Sequence, residues 1–135
     1  MSSIAQASAP PRAMFWAGWF LTALVGLFLA FDTTIKLLDL PMVRDAQVMI
    51  GWPVGLDRLI GAISLVCLLL YVTPPTAVLG AVLLTGLLGG AIASHLRVGD
   101  PLFSHTLFGV YVGLMAWGGL WLRDEKLRML IPLRR

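Results

Sequence analysis

Charge is what this sequence has least of. Only 13 % of its 135 residues are charged and 59 % are hydrophobic, against about 25 % and about 45–50 % in a soluble domain. A chain this short buries only part of its surface, so a soluble globule could not hide so many apolar side chains. The same composition excludes disorder. An integral membrane protein remains. Cysteine is nearly absent. The single Cys67 excludes an internal disulfide and a CxxC pair, and with them the membrane enzymes that work through a dithiol. Within its apolar run Cys67 reads as a small buried residue. There is no phosphate-binding glycine loop, zincin helix or nucleophile motif. The two histidines, His95 and His105, have no cysteine, glutamate or second histidine at ligand spacing, so no metal is expected. The excess of ten Lys/Arg over seven Asp/Glu collects in the tail, at Arg123, Lys126, Arg128, Arg134 and Arg135. That pattern marks a membrane-surface anchor and not a nucleic-acid interface.

Long apolar runs are abundant. Ala13–Phe31 is longer than a signal-peptide core of about 7–15 residues and reads as a retained span. The uncharged stretch Leu59–His95 is too long for one crossing, and Pro74-Pro75 cuts it. Proline removes a backbone donor, which is tolerable at an interface but not in mid-bilayer. The sequence therefore predicts an all-α integral membrane protein, a four-transmembrane-helix bundle with spans at about 13–36, 55–73, 76–97 and 102–122. Residues 1–12 read as a disordered tail, 13–122 as the membrane domain, and 123–135 as a basic cytoplasmic tail. Six Lys/Arg on the side of the termini against four on the other favour cytoplasmic termini. Pro41 suits the first turn of a short interfacial helix through about Met49, and Gly51-Trp52-Pro53 reads as a turn. The tail from Arg123 to Arg128 can extend the last helix, with Asp124 and Arg128 spaced as an ion pair.

Small residues recur at fourfold spacing, as Gly18, Thr22 and Gly26, as Gly86, Gly90 and Ser94, and as Gly109 and Gly113. Such stripes let helices approach closely in lipid. They predict intramolecular packing, with the third span central. The ionisable groups collect at the non-cytoplasmic ends: Asp32, Lys36, Asp57, Arg58, His95, Arg97, Asp100 and His105. Asp32 and Lys36 are spaced for a helical ion pair. His95 and Arg97 diverge around their helix. Asp100 is placed to cap the last span. These groups read either as a polar pocket for an anionic or quinone-like head group or as interfacial end groups that snorkel to water. No charge lies at the middle of a span, which disfavours a proton-coupled transporter of the small multidrug type.

Several segments together resemble the DoxX-like family. They are the Lys36-Leu37 exit, Gly51-Trp52-Pro53, Pro75-Thr76-Ala77-Val78-Leu79-Gly80-Ala81, Leu84-Thr85-Gly86-Leu87-Leu88-Gly89-Gly90-Ala91, His95-Leu96-Arg97, and Trp117 followed by Leu122-Arg123. The resemblance covers about residues 13–133. It implies a small multi-pass protein of the bacterial inner membrane, in a family named for a subunit of a thiosulfate:quinone oxidoreductase and linked to quinone and oxidative-stress responses. By matching position it implies that Lys36, Thr85, His95 and Arg97 line the pocket; the reading of the polar end groups adds Asp32 and His105 as ligand-binding candidates. Relatives often carry a glutamate where this chain has Ser64, which removes a buried acid.

Four functions stay open. The first is a subunit binding quinone, or another lipophilic ligand, beside redox chemistry done elsewhere. The second is a quinone-linked oxidoreductase in its own right, with His95 as acid or base. The third is an assembly subunit that docks a partner protein or a second copy through its glycine faces. The fourth is a small transporter.

Overall fold

The computed structural model describes residues 12–131, which are helical with short links. Most of the expected N-terminal tail, and Arg134 and Arg135, lie outside the described residues. The helices are α1 (Arg12–Leu37), α2 (Pro41–Met49), α3 (Asp57–Val72), α4 (Ala77–Val98), α5 (Phe108–Arg123) and α6 (Glu125–Leu130).

Four of these form the bundle. Helix α1 lies between α3 and α5, and α4 lies between the same two on the opposite side. Contacts set each neighbouring pair antiparallel. Gly61 meets Lys36 while Gly26 meets Val72. Gly18 meets Gly119 while Phe28 meets Phe108. The start of α1 and the end of α5 therefore share one end of the bundle. The third apolar run is not central: α4 is a corner, diagonal to α1. Its Gly80 lies against the Tyr71 backbone, whereas added Cβ atoms at Gly86, Gly89 and Gly90 would meet nothing within 4 Å. Composition shows that a face is small. It does not show whether a neighbour stands there.

The core is apolar, with Val25, Leu29, Cys67, Leu84, Val112, Ala116 and Leu120 buried. A polar bond crosses it, from the buried Tyr71 hydroxyl to the Ala116 carbonyl at 2.7 Å. By length and apolarity, Arg12–Leu37 and Pro74–Val98 can each cross a membrane. Helices α3 and α5 are shorter at 16 residues each, about 24 Å at about 1.5 Å per residue.

Pro74-Pro75 forms a single 3-10 turn, Pro74–Thr76. Pro41 opens α2 at its first position, where its missing N–H is not needed. Two expectations are corrected at the last span. Helix α5 starts at Phe108 and not near residue 102, because Leu102–Thr106 forms a π-helical turn. Asp100 does not cap α5 but pairs with His95. The tail does not extend α5 either. The chain breaks at Asp124 (φ −115°, ψ 106°), whose carboxylate accepts from the Lys126 and Leu127 amides and so caps α6. Arg128 donates to the Trp121 and Leu122 carbonyls instead of pairing with Asp124. A buried Leu127 seats α6 on the bundle.

Candidate functional site

The end of the bundle away from the termini carries the expected polar groups. Lys36 Nζ donates to Asp32 Oδ2 at 2.6 Å, one turn apart on α1. The exit from α1 then turns through Asp39, in the left-handed region at φ 54°. Aspartate tolerates that conformation better than most residues. The turn brings α2 back against α3 and beside the ends of α1 and α4. Val43, Ala46, Gln47 and Ile50 point one way at helical spacing. With Asp32, Lys36 and His95 they line a half-open cavity of about 310 Å³, which is the lower end of the range for small-molecule sites, about 300–1,000 Å³.

His95 is oriented by its neighbour. Its Nδ1–H donates to Asp100 Oδ2 at 2.6 Å, which leaves Nε2 for another partner. The helix ends here because Gly99 takes a left-handed φ of 75°. That turn brings Asp100 back to His95 across five residues. The His105 ring stands edge-on to His95, with centroids 6.1 Å apart. His105 is exposed, and its Nδ1 meets Ser104 Oγ at 2.8 Å; it does not line the cavity.

Arg97 points away from His95, as their spacing requires. It donates to the Ile50 carbonyl at 2.7 Å and lies against Gly51, whose φ of 87° and missing side chain make room for the guanidinium. Arg97 thus ties the C-terminal end of α2 to α4. The other end of α2 is held by Arg44, which donates to Asp39 Oδ2 at 2.7 Å, with Arg58 at 3.8 Å. The Arg44 guanidinium holds the Asp39 carboxyl below its ordinary range, chiefly by hydrogen bonding.

Thr85 is elsewhere. It lies ten residues before His95 on α4, about 15 Å along the axis. Its hydroxyl donates to the Ala81 carbonyl at 2.7 Å and accepts from Trp117 Nε1 at 2.8 Å. Asp32, Lys36 and His95 are thus brought together at the cavity, Arg97 stands at the end of its α2 wall, and Thr85 and His105 stand apart from it. Sequence reading missed Gln47, Val43 and Ile50 as lining residues, although their spacing on an amphipathic segment was a usable signal. The His95–Asp100 pair had only its short separation to announce it.

The opposite end holds a second polar cluster. Arg123 is not a free tail charge. Its Nε donates to Thr22 Oγ1 at 3.2 Å, and its guanidinium carbon lies 4.3 Å from the Trp19 ring centroid. Between the two ends, Ala62, Val66, Cys67, Leu83 and Gly86 line an outward-facing apolar groove of about 470 Å³ between α3 and α4. Among the described residues no three His, Cys, Asp or Glu side chains cluster as a metal site.

No curated protein and no solved structure matches the chain. Residues 20–119 match the DoxX-like family. That stretch holds α2, α3, α4 and most of α1 and α5, together with the cavity, and the chain belongs to the DoxX-like family.

Proposed function

We propose that this chain spans the bacterial inner membrane four times and binds a quinone or similar lipophilic ligand in the cavity beside α2. It serves redox or oxidative-stress metabolism as a subunit, with electron transfer carried out by a partner. Residues 13–122 form the membrane domain and 123–135 a cytoplasmic tail. The antiparallel helix order supports termini on one side, and the basic residues Arg12, Arg123, Lys126 and Arg128 favour the cytoplasm for that side. The shorter α3 and α5 are accommodated by local bilayer thinning.

The observation that carries the ligand reading is the cavity itself. Its walls are apolar at Ile35, Val43 and Ile50, and Lys36, Gln47 and His95 converge on it. The polar groups at its rim already have partners, Lys36 with Asp32 and His95 with Asp100. A neutral head group that accepts and donates hydrogen bonds therefore suits it better than a free anion. A second reading rests on a different observation, the open outward face at Gly86, Gly89 and Gly90. It makes the chain an assembly subunit that docks a partner helix or a second copy.

The test is native mass spectrometry of protein extracted gently from its own membrane. The ligand reading expects a bound quinone-like mass whose occupancy falls about tenfold in His95→Ala, the loss of one hydrogen bond of about 1.4 kcal/mol. An empty chain bound to another subunit, and released from it by Gly86→Leu, would overturn that reading in favour of assembly.

A further inference from the structure

Arg123 ends α5 where the start of α1 lies beside it, and its guanidinium is held from three helices. Its Nε donates to Thr22 Oγ1 at 3.2 Å, and that hydroxyl is turned by its own donation to the Gly18 carbonyl at 2.9 Å. The guanidinium carbon lies 4.3 Å from the Trp19 ring centroid and 5.9 Å from that of Tyr71. The two helix backbones are in close contact here, since a Cβ added at Gly18 would lie 2.8 Å from the Gly119 oxygen and 2.9 Å from the Arg123 nitrogen. What this cation lacks is an anion. Among the described residues the ion pairs join Lys36 to Asp32, Arg44 and Arg58 to Asp39, and His95 to Asp100; none includes Arg123. Asp124 follows it in the chain, but its carboxylate accepts from the Lys126 and Leu127 amides. Arg123 Nη2 is buried without an acceptor. The residue as a whole is half-buried, which leaves Nη1 as the open edge.

A guanidinium keeps its proton in a protein, so this charge is permanent. Half enclosed, it has lost part of its hydration and gained one hydroxyl and two ring faces in return. An anion at the open edge completes it. The level in the bundle selects the anion. Phe15 packs edge-on against Trp16 and Trp19 beside this site, and Trp16 is exposed. Such aromatic belts mark the headgroup level of a membrane, where phosphates are dense. A second guanidinium stands at the same helix end: Arg128 Nη1 donates to the Trp121 and Leu122 carbonyls at 3.0 Å and 2.7 Å. We propose that Arg123, backed by Arg128, binds the phosphate of an anionic phospholipid between the start of α1 and the end of α5. The planar fork of arginine matches phosphate oxygens, and Thr22 and Trp19 fix its direction before the lipid arrives. This is a located site, unlike the diffuse attraction of a basic tail. Lys126, which is exposed, contributes only to the latter. The site rests on the reading of the chain as membrane-spanning and is independent of the cavity at the other end.

The experiment is native mass spectrometry of the full chain released from nanodiscs made of phosphatidylglycerol and phosphatidylcholine in equal parts. Phosphatidylglycerol should be retained over phosphatidylcholine by about ten- to hundred-fold, the range set by one charge-assisted hydrogen bond. Arg123→Gln should abolish that preference. Arg123→Lys keeps the charge without the fork and should retain only part of it, which gives a reading even where the glutamine variant does not fold. Lys126→Gln removes the same charge from an exposed neighbour and should leave the preference intact. Millimolar inorganic phosphate should not displace the lipid; displacement would make free phosphate the ligand and overturn the lipid assignment. A parent without preference, equal losses in Arg123→Gln and Lys126→Gln, or undiminished retention in both Arg123 variants would overturn the site.

Discussion

Gly80→Ala tests the α3–α4 hairpin at its tightest point. An added Cβ would lie 2.6 Å from Tyr71 Cα and 2.7 Å from the Leu70 carbonyl carbon, and closer still to the Tyr71 nitrogen. Both neighbours are helix backbone, so no side chain can rotate out of the way. The Pro74–Thr76 turn joins the two helices within a few residues, so they cannot slide apart along their axes. Overpacking of this kind costs about 1–3 kcal/mol, and contact with backbone on one side places Gly80 near about 3 kcal/mol. Alanine's better helix propensity returns at most about 1 kcal/mol. The net expected loss is about 2 kcal/mol. Gly86→Ala is the matched control on the same helix, because its Cβ would meet nothing within 4 Å. Reversible unfolding in mixed micelles, or steric trapping in bicelles, reads both variants directly. A Gly80→Ala protein within about 0.5 kcal/mol of the parent, the ordinary range for a harmless surface change, would refute the packing argument.

Two further outcomes follow from local chemistry. Asp124→Ala removes the acceptor for the Lys126 and Leu127 amides, at a cost of about 1 kcal/mol; hydrogen exchange should quicken about fivefold across α6, with α1 to α5 unchanged. The Asp39 carboxyl is held below its ordinary range by Arg44. Its hold on α2 is therefore complete above the ordinary carboxyl range and is lost only as the pH falls through the depressed value. In Arg44→Gln that loss should move to higher pH, read as amide exchange in α2 during acid titration. An acid limb that does not move would mean that the pair contributes nothing to the hold.

Much of the architecture was legible because its causes are local. Pro74-Pro75 had to be a turn, since proline cannot continue a helix without losing a hydrogen bond. Pro41 had to begin a helix or interrupt one. Asp32 and Lys36 had to share a face at their spacing, and they meet at 2.6 Å. The same logic separated His95 from Arg97, and it could have shown that Val43, Ala46, Gln47 and Ile50 form one face of α2.

What stayed hidden depends on contacts between distant segments. Nothing local to Thr85 shows that Trp117 holds its hydroxyl, since the bond joins residues 32 apart. The glycines of α4 have the composition of a buried face, yet Gly80 lies against backbone while Gly86, Gly89 and Gly90 face outward. The break at Asp124 arose from competition between extending α5 and capping a new helix, which burial of Leu127 favours. The sequence alone determined an apolar helical membrane chain with its turns and a polar end, because composition and period are properties of the chain itself. Only the tertiary structure decided that α2 forms one wall of the cavity, that Arg97 ties that helix to α4, and that Asp57 is buried. Those facts depend on which helix ends are brought together, and no single segment carries that information.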